Sequence, residues 1–303
     1  MDDELIPQSG SVLRHTVIVL SLLLAAPEVL PSPQATASSS STSSSSAAGC
    51  GQPSPHLRVM QYNIHSGRDS QGRLNPRRTA SVIERSGAEV VALQEVDVHW
   101  SRRSAWRDQA RVLASRLGMR AFFAPIYTLP PPRPRYPKRR FGLAVLSEHP
   151  VLSATNHRMT RRSTQHPSES TVRLPGFPEV VVDINGTAVH VYAAHLDYRK
   201  RPRTRRIQVR EIVTALDRDD PGTPRLLLGD LNATSRAPEL APLWKRLRDT
   251  AGHTGAPTYP ARGPRVRLDH IAASRETEIV CSTTVASTAS DHLPVLAELR
   301  IPS

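Results

Sequence analysis

A chain of 303 residues has room for one large core or two smaller domains, and it shows no internal repeat. Its longest early apolar run, residues 17–26 (VIVLSLLLAA), falls short of the ~20 residues that span a bilayer. The net charge of +13 favours polyanions such as nucleic acid or anionic headgroups, but lysine is confined to Lys138, Lys200 and Lys245, an arginine bias that a GC-rich genome imposes whatever the function.

In chain order, the apolar run followed by Ala35-Thr36-Ala37 reads as a secretory signal peptide over residues 1–37. Asp2, Asp3 and Glu4 outnumber Arg14 where a basic start is expected, so an uncleaved anchor is the alternative. Residues 38–55 contain a Ser/Thr tract with nothing to bury and read as a disordered linker. Ala47-Ala48-Gly49-Cys50 looks like a lipoprotein site, but the apolar run ends too far upstream, so the expected location is secreted. Residues 1–37 carry four acids and one base, and their removal would raise the net charge from +13 to +16. Cys50 and Cys281 are the only cysteines, and two cysteines in an exported chain are more often bridged than free.

Residues 56–303 have a globular composition and read as one domain. Residues 57–62 alternate as a strand ending at Asn63-Ile64-His65. Asn75-Pro76 starts a helix that Gly87 stops. Residues 89–93 (EVVAL) form a buried strand ending in Gln94-Glu95. Ser104 is expected to cap a helix bearing Trp106, Ala110, Leu113 and Leu117, closed by Gly118. Residues 122–126 read as a strand, 129–140 as a basic Pro-rich loop, 141–147 as a strand, and 156–178 as a long irregular loop.

A hairpin follows across Asn185-Gly186, its second strand ending in His195-Leu196-Asp197. Val209, Ile212, Val213 and Leu216 have helical spacing. Leu226 to Leu228 read as a core strand, with Gly229 expected to turn the chain and present Asp230 and Asn232. Residues 238–247 read as a modest helix and 265–273 as a strand carrying Asp269. Ser290-Asp291-His292 precedes a closing strand, 294–299.

Each polar strand end has an ordinary explanation by itself, since Gly-Asp-Leu-Asn makes a good turn and a lone histidine is usually structural. Five such ends in one α/β chain are another matter: loops at strand termini gather on one edge, and Asn63, Glu95, His195, Asp230 with Asn232, and Asp291 with His292 should converge there.

The motifs YNIH (62–65), QE (94–95), HLD (195–197), GDLN (229–232), RLDHI (267–271) and SDHLP (290–294) together resemble the endonuclease/exonuclease/phosphatase superfamily, to which deoxyribonuclease I belongs. The resemblance implies an α/β fold: a four-layer sandwich of two packed mixed β-sheets flanked by helices. It also implies a Mg²⁺-dependent phosphoesterase, with Mn²⁺ as a substitute. Carried over, Glu95 would be the principal metal ligand with Asn63 and Asp291 beside it. His292, oriented by Asp269, would act on the phosphate or the attacking water, and the pair would supply a base near neutral pH. Asp230 would position or deprotonate that water, Asn232 would bond a phosphoryl oxygen, and His195 would donate to the phosphate or leaving oxygen. His65, Asp197 and His270 would be supporting residues.

Hard oxygen ligands suit Mg²⁺ or Mn²⁺ and argue against zinc, since the sequence shows no Cys/His cluster. The leading function is a secreted nuclease, with nucleic acid or another phosphodiester as partner and a monomeric chain. The alternatives are a phospholipid or sphingolipid headgroup phosphodiesterase, a phosphatase, and, more distantly, a non-catalytic binding module on the same scaffold.

Overall fold

A computed structural model describes Cys50 and residues 56–165 and 170–302. The expected signal peptide and, Cys50 apart, the linker lie outside the described residues. Cys50 is joined to Cys281, with their Cα atoms 5.7 Å apart.

In chain order the elements are β1 (Leu57–Asn63), α1 (Pro76–Ser86), β2 (Val90–Val98), α2 (Gln109–Leu117), β3 (Arg120–Leu129), β4 (Arg139–Ser147), β5 (Val151–Arg161), β6 (Val172–Ile184), β7 (Thr187–His195), α3 (Arg203–Leu216), β8 (Arg225–Asp230), α4 (Ala241–Trp244), β9 (Leu247–Asp249), β10 (Asp269–Ser274), β11 (Glu278–Thr284) and β12 (Val295–Arg300). They form two six-stranded sheets, ordered β11-β12-β1-β2-β4-β3 and β5-β6-β7-β8-β10-β9. Each sheet is built on one parallel pair, β1 with β2 and β7 with β8, flanked by antiparallel neighbours.

Alternation sorts the side chains into layers. Val59, Val90, Val145, Val182, Val191, Leu228, Ile271 and Ala297 meet between the sheets. Met60, Val91, Leu93 and Leu146 pack outward with Ile83 of α1 and Leu113 of α2. Tyr192, Leu227 and Ala272 pack outward with Val209 and Ile212 of α3 and Leu243 of α4. The result is helix, sheet, sheet, helix, the expected four-layer sandwich. Each fully buried aliphatic side chain contributes about 1.5–3 kcal/mol. A one-residue slip would exchange the two apolar faces of a central strand and disrupt both layers.

Local signals place several elements. Asn75 caps α1 by accepting from the Arg78 amide at 3.2 Å, and Gly87 ends it at φ 63°. Asn185 and Gly186 take positive φ, 54° and 89°, as a tight hairpin turn requires.

Other expectations are corrected. The helix assigned to Ser104 is capped instead by Asp108, which accepts from the Arg111 amide at 3.0 Å, while Ser104 closes a short 3-10 turn and Trp106 precedes the helix. Residues 156–178 are not a loop: most belong to the long strands β5 and β6. β5 is an edge strand with a largely exposed face, so it lacks the alternation that marks a core strand. The basic loop narrows to residues 130–138, because β3 and β4 extend into it. The helix expected at 238–247 is a 3-10 turn followed by the short α4, and Leu247 already belongs to β9.

Candidate active site

The site continues the row of side chains between the sheets. On β1 the alternation that points Leu57 and Val59 at the other sheet carries on to Gln61 and Asn63. On β7 it runs from Val191 and Ala193 to His195, on β8 from Leu226 and Leu228 to Asp230, and on β10 from Ala273 and Ile271 back to Asp269. Apolar residues give way to polar ones at one common edge. The pairing register fixes the rest, with His195 opposite Asp230 and Asp230 opposite Asp269.

Glu95 arrives by a different route from the one its sequence suggests. β2 does not end at Gln94-Glu95 but runs to Val98, with a bulge between Leu93 and Val96 and Glu95 at φ 56°. Val91 and Leu93 before the bulge and Val96 after it all pack on the helix side. The extra residue therefore turns Glu95 to the inter-sheet side, where its Oε1 accepts from Asn63 Nδ2 at 3.2 Å.

Gly229 is likewise not a turn. It sits inside β8, paired with Ala194, and a Cβ there would lie 2.6 Å from the Ala194 carbonyl oxygen. The glycine lets β7 and β8 come close at the site. The turn falls at Asn232, φ 48°, whose amide donates to the Leu196 carbonyl at 3.0 Å and whose backbone N–H donates to Asp230 Oδ1 at 3.0 Å.

Asp230 Oδ2 is the hub. It accepts from Asn63 Nδ2 at 3.0 Å and lies 3.6 Å from His195 Nε2 and 3.8 Å from His292 Nε2. Asp269 is buried and fully engaged: Oδ2 accepts from His292 Nδ1 at 2.8 Å and Thr258 Oγ1 at 2.5 Å, and Oδ1 from Gln61 Nε2 at 2.5 Å. Asp291 stands at the solvent side, with Oδ1 3.6 Å from His65 Nδ1 and 3.3 Å from Ser290 Oγ. The structure thus brings Asn63, Glu95, His195, Asp230, Asp269 and His292 into one connected cluster, with Asn232 and Asp291 at its rim.

The electrostatics separate the two buried aspartates. Burial and the neighbouring Asp269 carboxylate push the Asp230 carboxyl up. Asp269 is pushed up by burial too, but His292 outweighs this and holds it below the ordinary range. Burial would lower His292, yet Asp269 and Asp230 drive it up to about 10. An imidazole so placed is favoured in its charged form, in which Nε2–H is a donor. For Glu95, burial is outweighed by the histidines His195, His65 and His292 and by the Asn63 amide, and the carboxyl falls below the usual range.

Ligand atoms of Asp230, Asp269 and His292 lie within 4.8 Å of one another. Within that trio the Asp269–His292 hydrogen bond fixes the ring's orientation and stabilises its charged form. The oxygens of Glu95, Asn63 and Asp291 are the donor set that fits a hard divalent cation.

Sequence reasoning missed Gln61, Thr258, Tyr259 and Ser290. Gln61 could have been found by continuing the alternation of β1. Ser290, whose hydroxyl donates to the Asn63 carbonyl at 2.7 Å, lies inside a motif already singled out. Thr258 and Tyr259, whose ring centroid is 4.7 Å from that of His292, come from an irregular segment that carries no local signal. His270 is structural, bridging Asp249 Oδ2 at 2.8 Å and the Ala233 carbonyl at 3.0 Å. Asp197 is pinned by Arg199, whose Nη1 donates at 2.5 Å.

A cleft opens from His195 along Leu196, Asp197, Tyr198 and Arg199 to Tyr127, Phe141, Arg161 and Arg162. Arg161 is buried and donates to the His195 carbonyl at 3.0 Å, fixing the cleft wall to the site. Tyr198 is 63% exposed, with the Arg199 guanidinium 5.0 Å from its ring centroid.

Comparison with known proteins agrees with this geometry. No curated protein sequence matches the chain. Among solved structures it is similar to an endonuclease/exonuclease/phosphatase from Beutenbergia cavernae, at 26% identity and TM-score 0.66 over 82% of this chain and 72% of that one. It shares the fold of the human Nocturnin catalytic domain with bound sulfate, at 20% identity and TM-score 0.60 over 82% and 94%. It also shares that of a mannosyl-6-phosphatase from Bacteroides thetaiotaomicron, at 16% identity and TM-score 0.59 over 81% and 100%. The model of the Endonuclease/Exonuclease/phosphatase family matches residues 60–292, a span that takes in the whole polar edge from Asn63 to His292, and the chain belongs to that family of hydrolases.

Proposed function

We propose that this protein is an exported phosphodiesterase that cleaves nucleic acid with the help of a divalent cation, Mg²⁺ or Mn²⁺, held by Glu95, Asn63 and Asp291. The cation, when bound, would neutralise phosphoryl charge as a Lewis acid. The chain's own residues account for the remaining chemistry. Asp230, its carboxyl raised by burial and by Asp269, is the group suited to take a proton from the attacking water. His292, kept charged by Asp269, donates from Nε2 to a phosphoryl oxygen, where a preorganised donor stabilises developing charge. His195 donates to the phosphate or leaving oxygen, and Asn232 holds a phosphoryl oxygen beside it.

The observation that carries the nucleic-acid reading is the cleft continuous with His195. It offers, in Tyr198 with its neighbouring Arg199, an exposed surface on which a base can stack, within a wall of positive charge that attracts a phosphate chain. The Cys50–Cys281 bridge supports export to an oxidising compartment. The deciding experiment is a panel: purified protein with Mg²⁺ against plasmid DNA, RNA, sphingomyelin and a bis-aryl phosphodiester. Cleavage of DNA or RNA, abolished by chelator and impaired by Tyr198→Ala, is expected. Hydrolysis of sphingomyelin with nucleic acid untouched would move the assignment to lipid headgroups.

A further inference from the structure

β7 carries His195 at one end, and five residues earlier, about 16 Å back along the strand, it carries His190 in a second cluster of ionisable groups. His157 of β5, Glu179 of β6, His190, and Asp219 beyond the end of α3 meet there. His157 Nε2 lies 2.6 Å from Glu179 Oε2. His190 Nδ1 lies 2.8 Å from Glu179 Oε1 and 3.1 Å from Asp219 Oδ1. No step of the proposed phosphodiester chemistry uses these four residues.

We propose that His157, Glu179, His190 and Asp219 form a binding site for one transition-metal dication of the zinc class, separate from the catalytic edge. Two imidazoles with two carboxylates are the borderline-soft donor set that selects zinc over magnesium. Ligand atoms of Glu179, His190 and Asp219 all lie within 4.8 Å of one another, and His157, which meets this group at Glu179 Oε2, would turn in as the fourth ligand. Ligands held at ~2.0–2.2 Å around a tetrahedral ion stand about 3.4 Å apart, so the present contacts would open by less than an ångström.

The hydrogen bonding also leaves a place for a cation. The single proton that His190 Nδ1 can carry is faced by two carboxylate oxygens, one from Glu179 and one from Asp219, and it cannot serve both well. An ion between them serves both, with the N–H of each neutral imidazole then carried on the ring nitrogen that does not ligate, Nδ1 of His157 and Nε2 of His190. The supporting groups are in place as well. Tyr192 Oη donates to Asp219 at 2.9 and 3.0 Å, and Phe177 packs its ring 5.9 Å from that of His157, as outer partners of metal ligands do. The two histidine side chains are 21–23% exposed, so an ion can enter from solvent. Bound there, it would clamp three strands of the second sheet to the segment following α3, a structural role.

The test uses the whole purified protein, stripped by chelator and titrated with Co²⁺ and then Zn²⁺. The intense visible bands of four-coordinate cobalt should appear, be displaced by one equivalent of Zn²⁺, and persist in Glu95→Gln; Zn²⁺ should raise the melting temperature. His157→Gln and His190→Gln should each lose the bands and the zinc-dependent rise while keeping Mg²⁺-dependent hydrolysis. Should either misfold, Asp219→Asn carries the same expectation. Absence of four-coordinate bands in the unaltered protein, bands unchanged in the variants, or bands lost in Glu95→Gln would each overturn the assignment.

Discussion

Asp269 and His292 should behave as one catalytic unit. Asp269 is held from three sides, by Gln61, Thr258 and His292 at 2.5, 2.5 and 2.8 Å, so Asp269→Asn keeps the shape but withdraws the anion that charges the imidazole. Losing either partner should cost about 10²- to 10⁴-fold in turnover, equivalent to about 2.7–5.4 kcal/mol of barrier. Because both losses disable the same donor, the double variant should be little worse than the poorer single one. The assay is steady-state hydrolysis of a bis-aryl phosphodiester at saturating Mg²⁺, with folding checked by circular dichroism. A pH profile adds a second readout. With Asp269 present, His292 stays charged up to about 10. In Asp269→Asn it should titrate nearer the ordinary ~6.5, so the residual rate should fall as pH rises through neutrality. Losses that multiply, or near-native turnover in His292→Ala, would refute the pairing and shift the chemistry to His195 and Asp230.

Glu95→Gln should raise the Mg²⁺ concentration needed for half-maximal activity, and excess chelator should abolish activity in the unaltered protein; full activity in chelator would remove the metal assignment. Gly229→Ala places a methyl 2.6 Å from the Ala194 carbonyl oxygen and should destabilise the fold by about 1–3 kcal/mol, seen as a lower urea midpoint together with reduced turnover. Reducing the Cys50–Cys281 bridge, which spans 231 residues, should cost about 5.5 kcal/mol in the chain-entropy model; coincident denaturation curves for oxidised and reduced protein would count against it. Asp249 resists burial through His270 and Arg267, which hold its carboxyl low. Its contribution is therefore present above the unfolded value of ~3.9 and lost as pH falls through its lower folded value. Asp249→Ala should destabilise by about 3–5 kcal/mol near neutrality, and the difference in melting temperature from the unaltered protein should shrink in acid.

The sequence by itself determined the central strands, the capped start of α1, the Asn185-Gly186 hairpin and the polar residues at the strand ends, because each is written locally as an apolar period, a cap or a turn pair. It also determined the family, since six short motifs in order are specific where each alone is not. What it left open lies at the sheet edges and in contacts between distant segments. β5, β9 and β11 are edge strands with little continuous buried face, so no alternation betrays them. Gln94-Glu95 looks like a strand end because a bulge and a strand end both interrupt an apolar run; only pairing with β4 carries β2 on to Val98. Gly229 reads as a turn because its reason, the carbonyl of Ala194, lies on another strand. The charge of His292 depends on two carboxylates delivered by β8 and β10, and only tertiary packing, which buries those anions against the ring, favours its charged form.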